Sequence, residues 1–307
     1  MLKEQLVTTW SRIAQSPRWR RIISASILVF SIGFLGYKAF TSWDALKAYD
    51  WQIRYARLLP SFGLFVFQLL VITWGWRSIM DSLAGPLPFR HHIKVYGYTN
   101  LMRRVPAGVF WMIAGRAYAY KDQNISLRTS AVGSLLEFFF VVLTGLPLCA
   151  VAGWKLGFLS PVPAIALATA TLALELVAIH PTVLSRLLKL ARYGPLQAEL
   201  TYSNTLCWAF IYTSIWLISG TGLFVIALLF IDLSVMSLPT TIGVWVLSSL
   251  VSYLTLFSPS GLGIKELSLT LLLSHLLPDP LPLLIALAIR VIWTVYDILI
   301  GVTVLML

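Results

Sequence analysis

The sequence predicts an all-α polytopic membrane protein, with about six transmembrane helices plus two re-entrant helix hairpins in a pseudo-inverted repeat. Three observations carry this. The first is composition. Of the 307 residues, 58% are hydrophobic and 11% charged, where a soluble domain carries roughly 25% charged residues; the mean hydropathy is +0.83. The second is a recurrence of apolar runs long enough, at about 1.5 Å per residue, to cross a hydrocarbon core of about 30 Å. No series of alternating ~10-residue strands, the mark of a membrane β-barrel, accompanies them. The third is a pair of interruptions, near residues 103–116 and at residues 258–266, where proline, glycine and charge break otherwise apolar helices. Proline removes a donor and glycine loosens the helix. Irregular backbone at membrane depth survives only where protein buries it or where it lines a wet cavity, so each break is a candidate site.

The chain reads as one transmembrane domain over 1–307. Residues 1–21 form a basic tail (Lys3, Arg12, Arg18, Arg20 and Arg21 against Glu4) without a cleavable-signal pattern. The positive-inside rule makes that end cytoplasmic. Residues 22–40 are the first span, and 42–59, where Trp43, Leu46 and Trp51 interleave with Asp44, Lys47, Arg54 and Arg57, an interfacial amphipathic helix. The spans then expected are 60–82, 126–152, 160–179, 203–230 and 283–307. Between them, 84–124 and 238–277 read as broken, re-entrant segments, and 181–201 as a basic cytoplasmic loop. Span, broken segment and span recur over 60–152 and 203–307 with opposite starting sides, the pattern of an inverted repeat. Both termini are then cytoplasmic. In the alternative, 238–257 crosses fully and inverts everything after it.

The charges inside the spans narrow the site. An isolated charge at the bilayer centre costs about 2.5–3.5 kcal/mol on insertion scales. Glu137, Glu175, Arg290 and Asp297 all sit in apolar runs and form the expected intramembrane charge network, with Arg290 paired to Glu137 or Asp297. The bland reading is an ion pair that only fixes helix packing. Arg103, Arg104, Arg116 and Lys265 lie beside the breaks made by Pro106, Gly108, Gly115, Pro259, Gly261 and Gly263. Free N–H groups at a helix start and nearby cations favour a phosphate. The expected lipid-headgroup set is therefore Arg103, Arg104, Arg116, Lys265, Glu266 and Arg290, against a bland reading of snorkelling to the interface. His91 and His92 read as part of a solvated loop, His180 and His275 as interfacial, and the twelve tryptophans mostly as belt anchors. Cys149 and Cys207 read as buried small hydrophobes.

Other classes fall away. The net charge of +11 is scattered between spans, as topology determinants are, and marks no nucleic-acid surface. No nucleophile elbow, phosphate loop or metal motif is present, so no catalytic residue, metal or cofactor is expected.

Three blocks also resemble one known family, the transmembrane region of lysylphosphatidylglycerol synthases, or flippase-like membrane family. They are Asn100 with Pro106-Ala107-Gly108 and Gly115-Arg116; Ser134-Leu135-Leu136-Glu137; and Pro259-Ser260-Gly261-Leu262-Gly263-Ile264-Lys265-Glu266, followed by Arg290 in the last span. Lys265 and Phe138 stand where that family usually has arginine. The resemblance implies translocation of a polar or phosphate-containing lipid between leaflets of a cell membrane. The partners it implies are membrane lipids and a separate lipid-synthesising enzyme. The aminoacyl-transferase domain of some members has no counterpart in these 307 residues, so the chain is not expected to make the aminoacyl lipid by itself. Two alternatives stand beside this: a membrane-embedded enzyme or accessory subunit in lipid-linked glycan or polar-lipid synthesis, and a non-catalytic scaffold.

Overall fold

A computed structural model describes residues 53–102, 108–190, 200–254 and 263–306, together with 43–49 and a few positions between 33 and 41. The expected basic tail, most of the span 22–40, and the residues Arg103, Arg104, Pro106, Pro259 and Gly261 lie outside the described residues. The elements are α1 (Trp43–Ala48), α2 (Leu58–Ala84), α3 (Phe89–Met102), α4 (Gly108–Ala119), α5 (Leu127–Lys155), α6 (Pro161–Ala178), α7 (Pro181–Leu190), α8 (Tyr202–Ala227), α9 (Leu238–Leu254), α10 (Ile264–Leu273) and α11 (Leu281–Met306), with short 3-10 turns at Tyr55–Arg57, Lys121–Gln123 and Val235–Ser237. Among the described residues there is no strand.

Six of these segments are long and apolar enough to cross a membrane: Tyr55–Ala84, Leu127–Lys155, Pro161–Ala178, Tyr202–Ala227, Val235–Tyr253 and Leu281–Val304. The chain is a multi-pass helical membrane protein. Five of the six coincide with expected spans. The sixth, Val235–Tyr253, falls in the stretch expected to be re-entrant, and at 19 residues it is long enough to cross fully.

Local chemistry places the ends. Pro60 sits in the first turn of α2, where its missing N–H costs nothing. Gly85, at φ 90°, ends the helix with its N–H on Asp81 O at 3.0 Å. Ser126 caps α5 by accepting from Thr129 N at 3.1 Å, and Thr201 caps α8 by accepting from Asn204 N at 3.2 Å. Gly263 takes φ 84° immediately before α10, a conformation that side-chain-bearing residues rarely adopt.

Packing builds two cores. Around Trp76, Phe140, Trp208 and Tyr212, helices α2, α3, α5 and α8 meet. Around Leu223, Trp245, Leu269 and Ile285, helices α8, α9, α10 and α11 meet. Helix α2 packs on α8, α5 on α9, and α3 on α11. Small residues let the backbones close in. A Cβ on Gly220 would lie 2.6 Å from Ile242 Cα, and one on Gly243 would lie 2.6 Å from Ala152 Cβ. Helix α6 packs on α5 and exposes Val162, Ile165, Leu174 and Val177, a face for lipid.

Four expectations change here. Residues 181–190 are a helix, α7, that buries Leu184 and Leu188 and exposes Arg186 and Lys189. Among the described residues of 42–57 there are the short helix α1 and a 3-10 turn; Arg54 and Arg57 hold Asp232, with Arg57 Nη2 at 3.1 Å. Trp76, Trp208, Trp216 and Trp245 are buried core and not interfacial anchors. Cys149 is half-buried and Cys207 is exposed.

Gly243→Val should lower the melting temperature in detergent, because overpacking costs about 1–3 kcal/mol. Gly63→Ala, in open space within α2, should hold or raise it by up to about 1 kcal/mol. Equal melting temperatures for the two variants would refute the close α5–α9 approach.

Candidate functional site

Two charged centres form where a half-length helix meets a long one. The first joins α4 to α5. Arg116 is 1% exposed. Its Nη1 donates to Glu137 Oε2 and, at 3.4 Å, to Ser134 Oγ. Tyr96 on α3 donates its hydroxyl to Glu137 Oε1 at 2.7 Å. The guanidinium lies over Trp76 at 4.0 Å and over Tyr96 at 4.7 Å. Aromatic faces attract a desolvated cation, so two rings and one carboxylate hold this arginine inside the bundle. Arg116 Nε, Ser130 Oγ and Tyr212 Oη are buried without a hydrogen-bond partner among the described residues. Such groups recruit buried water when space allows.

The second centre joins α10 to α11. Glu266 Oε2 accepts the N–H of Gly263 at 2.8 Å, closing the first turn of α10. Its other oxygen accepts from Arg290 Nη1 at 3.0 Å. Lys265 Nζ stands 3.5 Å from the centre of the Trp245 ring and 5.8 Å from that of Trp293. These two rings are 4.6 Å apart. A cavity of about 30 Å³ lies between Lys265, Arg290, Glu266 and the two tryptophans, the room of one water. The Arg290 side chain is 22% exposed, so this centre is open where the first is shut. A larger groove of about 140 Å³ between α5 and α6 is walled by Val151, Trp154, Ile165 and Ala168; without a charged wall it has nothing to recognise a headgroup.

The two centres share a layout with the signs exchanged. Arginine sits on the short helix and glutamate on the long one in the first, and the reverse holds in the second. The expected pairing of Arg290 with Glu137 or Asp297 is therefore wrong. Both carboxylates take the cation of the helix they pack against, because a short adjacent contact outweighs a longer one across the bundle. Arg116 has its partners in the first centre, and Lys265 and Arg290 line the second. Asp297 is buried on α11 and Glu175 on α6, each outside the two centres. Gly108 opens α4, and Gly115 lies inside it rather than at a break.

A third polar cluster was not expected. The supposed solvated histidines belong to α3, and His92 is fully buried. His92 Nδ1 lies 2.7 Å from Tyr120 Oη, which accepts from Trp76 Nε1 at 2.7 Å. Its Nε2 faces Asp81 Oδ1 at 3.5 Å. Burial pushes His92 down to about 4; Asp81 opposes the shift, and His91 and Arg77 add to it. Sequence reasoning does not single out Tyr96, Trp76, Trp245 and Trp293, because an aromatic that holds a cation looks, in sequence, like any core or belt residue; nor does it single out Tyr120, whose hydroxyl joins Trp76 to His92. Among the described residues no cluster of His, Cys, Asp or Glu is placed to hold a metal ion.

No protein-family model matches the chain, and no curated protein matches it either.

Removing one partner of the first pair should cost about 3–5 kcal/mol, since it strands a buried charge. Arg116→Met and Glu137→Leu should each lower the denaturation midpoint in detergent, and the double variant should recover most of the loss. A double variant as unstable as the sum of the singles would show that the two residues do not act as a pair.

Proposed function

We propose that this chain moves a polar, phosphate-containing lipid between leaflets, with the headgroup received beside Lys265 and Arg290. The observation that carries this is the second centre. Two cations, Lys265 and Arg290, and a wall of Trp245 and Trp293 line a cavity with Glu266. Guanidinium and ammonium share one ligand chemistry, the phosphate oxyanion. Acyl chains remain in the bilayer beside the exposed apolar face of α11, which carries Val291, Val295 and Ile298.

The element order supports an inverted repeat. Long helix, two shorter helices and long helix recur as α2, α3, α4, α5 and as α8, α9, α10, α11. The packing of α5 on α9 is mirrored by α11 on α3, as a two-fold relation requires. The exchanged signs of the ion pairs fall at corresponding places. The blocks similar to the flippase-like family supply both breaks and both ion pairs. In this reading α3–α4 and α9–α10 are the moving hairpins. Glu266 holds Arg290 and Glu137 holds Arg116, so neither carboxylate is poised as a base. That favours binding and movement over lipid chemistry.

Reconstitution into vesicles with labelled phospholipid tests the proposal. Lys265→Gln should slow leaflet exchange roughly tenfold, the worth of one charge-assisted hydrogen bond; Lys265→Arg should restore it. Exchange at the rate of protein-free vesicles, or equal rates for the three proteins, would refute it.

A further inference from the structure

The cluster around His92 has no part in receiving a headgroup, yet its geometry is that of a proton-binding site. Tyr120 Oη accepts the indole N–H of Trp76, so its one hydrogen goes to His92 Nδ1, the remaining contact at 2.7 Å. His92 is then neutral, with its proton on Nε2. That Nε2 is buried and lacks a hydrogen-bond partner among the described residues. It faces Asp81 Oδ1 at 3.5 Å, too long for a hydrogen bond. Asp81 is held by Arg77 Nε at 3.1 Å and by Leu87 N at 3.2 Å, and its side chain is 26% exposed, so water reaches it.

The charged and titratable groups around the ring come from each packed element. Helix α2 brings Asp81 and Arg77, and α3 itself brings His91. The end of α4 brings Tyr120, while Lys94 and Asp122 act on His91. Helix α11 meets α3 through Val304, against Gly97.

We propose that His92 takes up a proton through Asp81 and that this proton unlocks the Arg116–Glu137 centre. A protonated ring carries N–H on both nitrogens. Its Nδ1–H then meets the Tyr120 O–H donor to donor, so the Tyr120 hydroxyl either rotates and leaves its hydrogen unpaired in the core, or turns away and releases Trp76. At the same time Nε2–H gains a full ion pair with Asp81, drawing α3 toward α2. Both disturbances reach the first centre directly. Trp76 is the ring beneath the Arg116 guanidinium, and Tyr120 N is bonded to Arg116 O at 3.0 Å.

The sign follows from linkage. Burial holds His92 near 4 in this conformation, so the arrangement described is the deprotonated one through the physiological range. Acid favours any state in which the ring regains its ordinary affinity. A state with the usual value of about 6.5 gains on the order of 30-fold at about pH 5. The coupling of this proton to lipid movement rests on the translocation reading above; the proton site itself does not.

Hydrogen–deuterium exchange of the full chain in nanodiscs tests the site, read over α3 and α4 and corrected for intrinsic exchange. Between about pH 7.5 and about pH 5 the opening constant should rise on the order of 30-fold. His92→Gln should abolish the rise and His91→Gln should keep it. Should His92→Gln not fold, Asp81→Asn, which removes the partner of the protonated ring, should cut the rise severalfold. No pH response in the parent chain, or a response left undiminished by His92→Gln or by Asp81→Asn, overturns the proposal. Lipid exchange in parallel separates the two readings. An intact His92-dependent response without lipid exchange supports the proton site and sinks translocation; lipid exchange without that response does the reverse.

Discussion

A cation inside hydrocarbon must bring its own solvent, and that requirement organises this protein. Arg116 finds it in Glu137, Tyr96 and Trp76, and Arg290 finds it in Glu266. Neither arginine belongs to the helix that carries its carboxylate. Each pair therefore ties a shorter helix to a long one. The glycine contacts at Gly220 and Gly243 serve the same end, since they bring α8, α9 and α5 close enough to keep water and lipid out of the core.

The two centres differ in access. The first is closed by two rings and a neighbouring hydroxyl, and the second opens on a cavity beside Lys265. Around the closed centre, Arg116 Nε, Ser130 Oγ and His92 Nε2 are buried without a hydrogen-bond partner among the described residues. Leaving a polar group unpaired costs about 1–3 kcal/mol, comparable to a modest population shift.

Much of the fold was legible. Span positions follow from apolar length alone, and five expected spans overlap the apolar helices observed to within a few residues at each end. Caps at Ser126 and Thr201 and the stop at Gly85 follow from local rules. The candidate site was legible only as a set of residue types. Glu137, Arg116, Glu266 and Arg290 stand out as charges in apolar surroundings, but four charges permit several pairings. The pairing across the bundle was the wrong one. His92 was misread because histidine between arginine and lysine looks solvated, and only the packing of α3 on α2 buries it.

By itself the sequence determined that this chain is a helical bundle with five of its six candidate membrane spans in place, because hydropathy acts within a few residues of itself. Partnership was decided by tertiary structure alone: Arg116 with Glu137, Glu266 with Arg290, Lys265 between Trp245 and Trp293, and His92 with Tyr120. Those choices depend on which helix faces which at contact distance. The energy of an ion pair or a stacked cation is set by that distance and by the exclusion of water, and neither is a property of a stretch of chain.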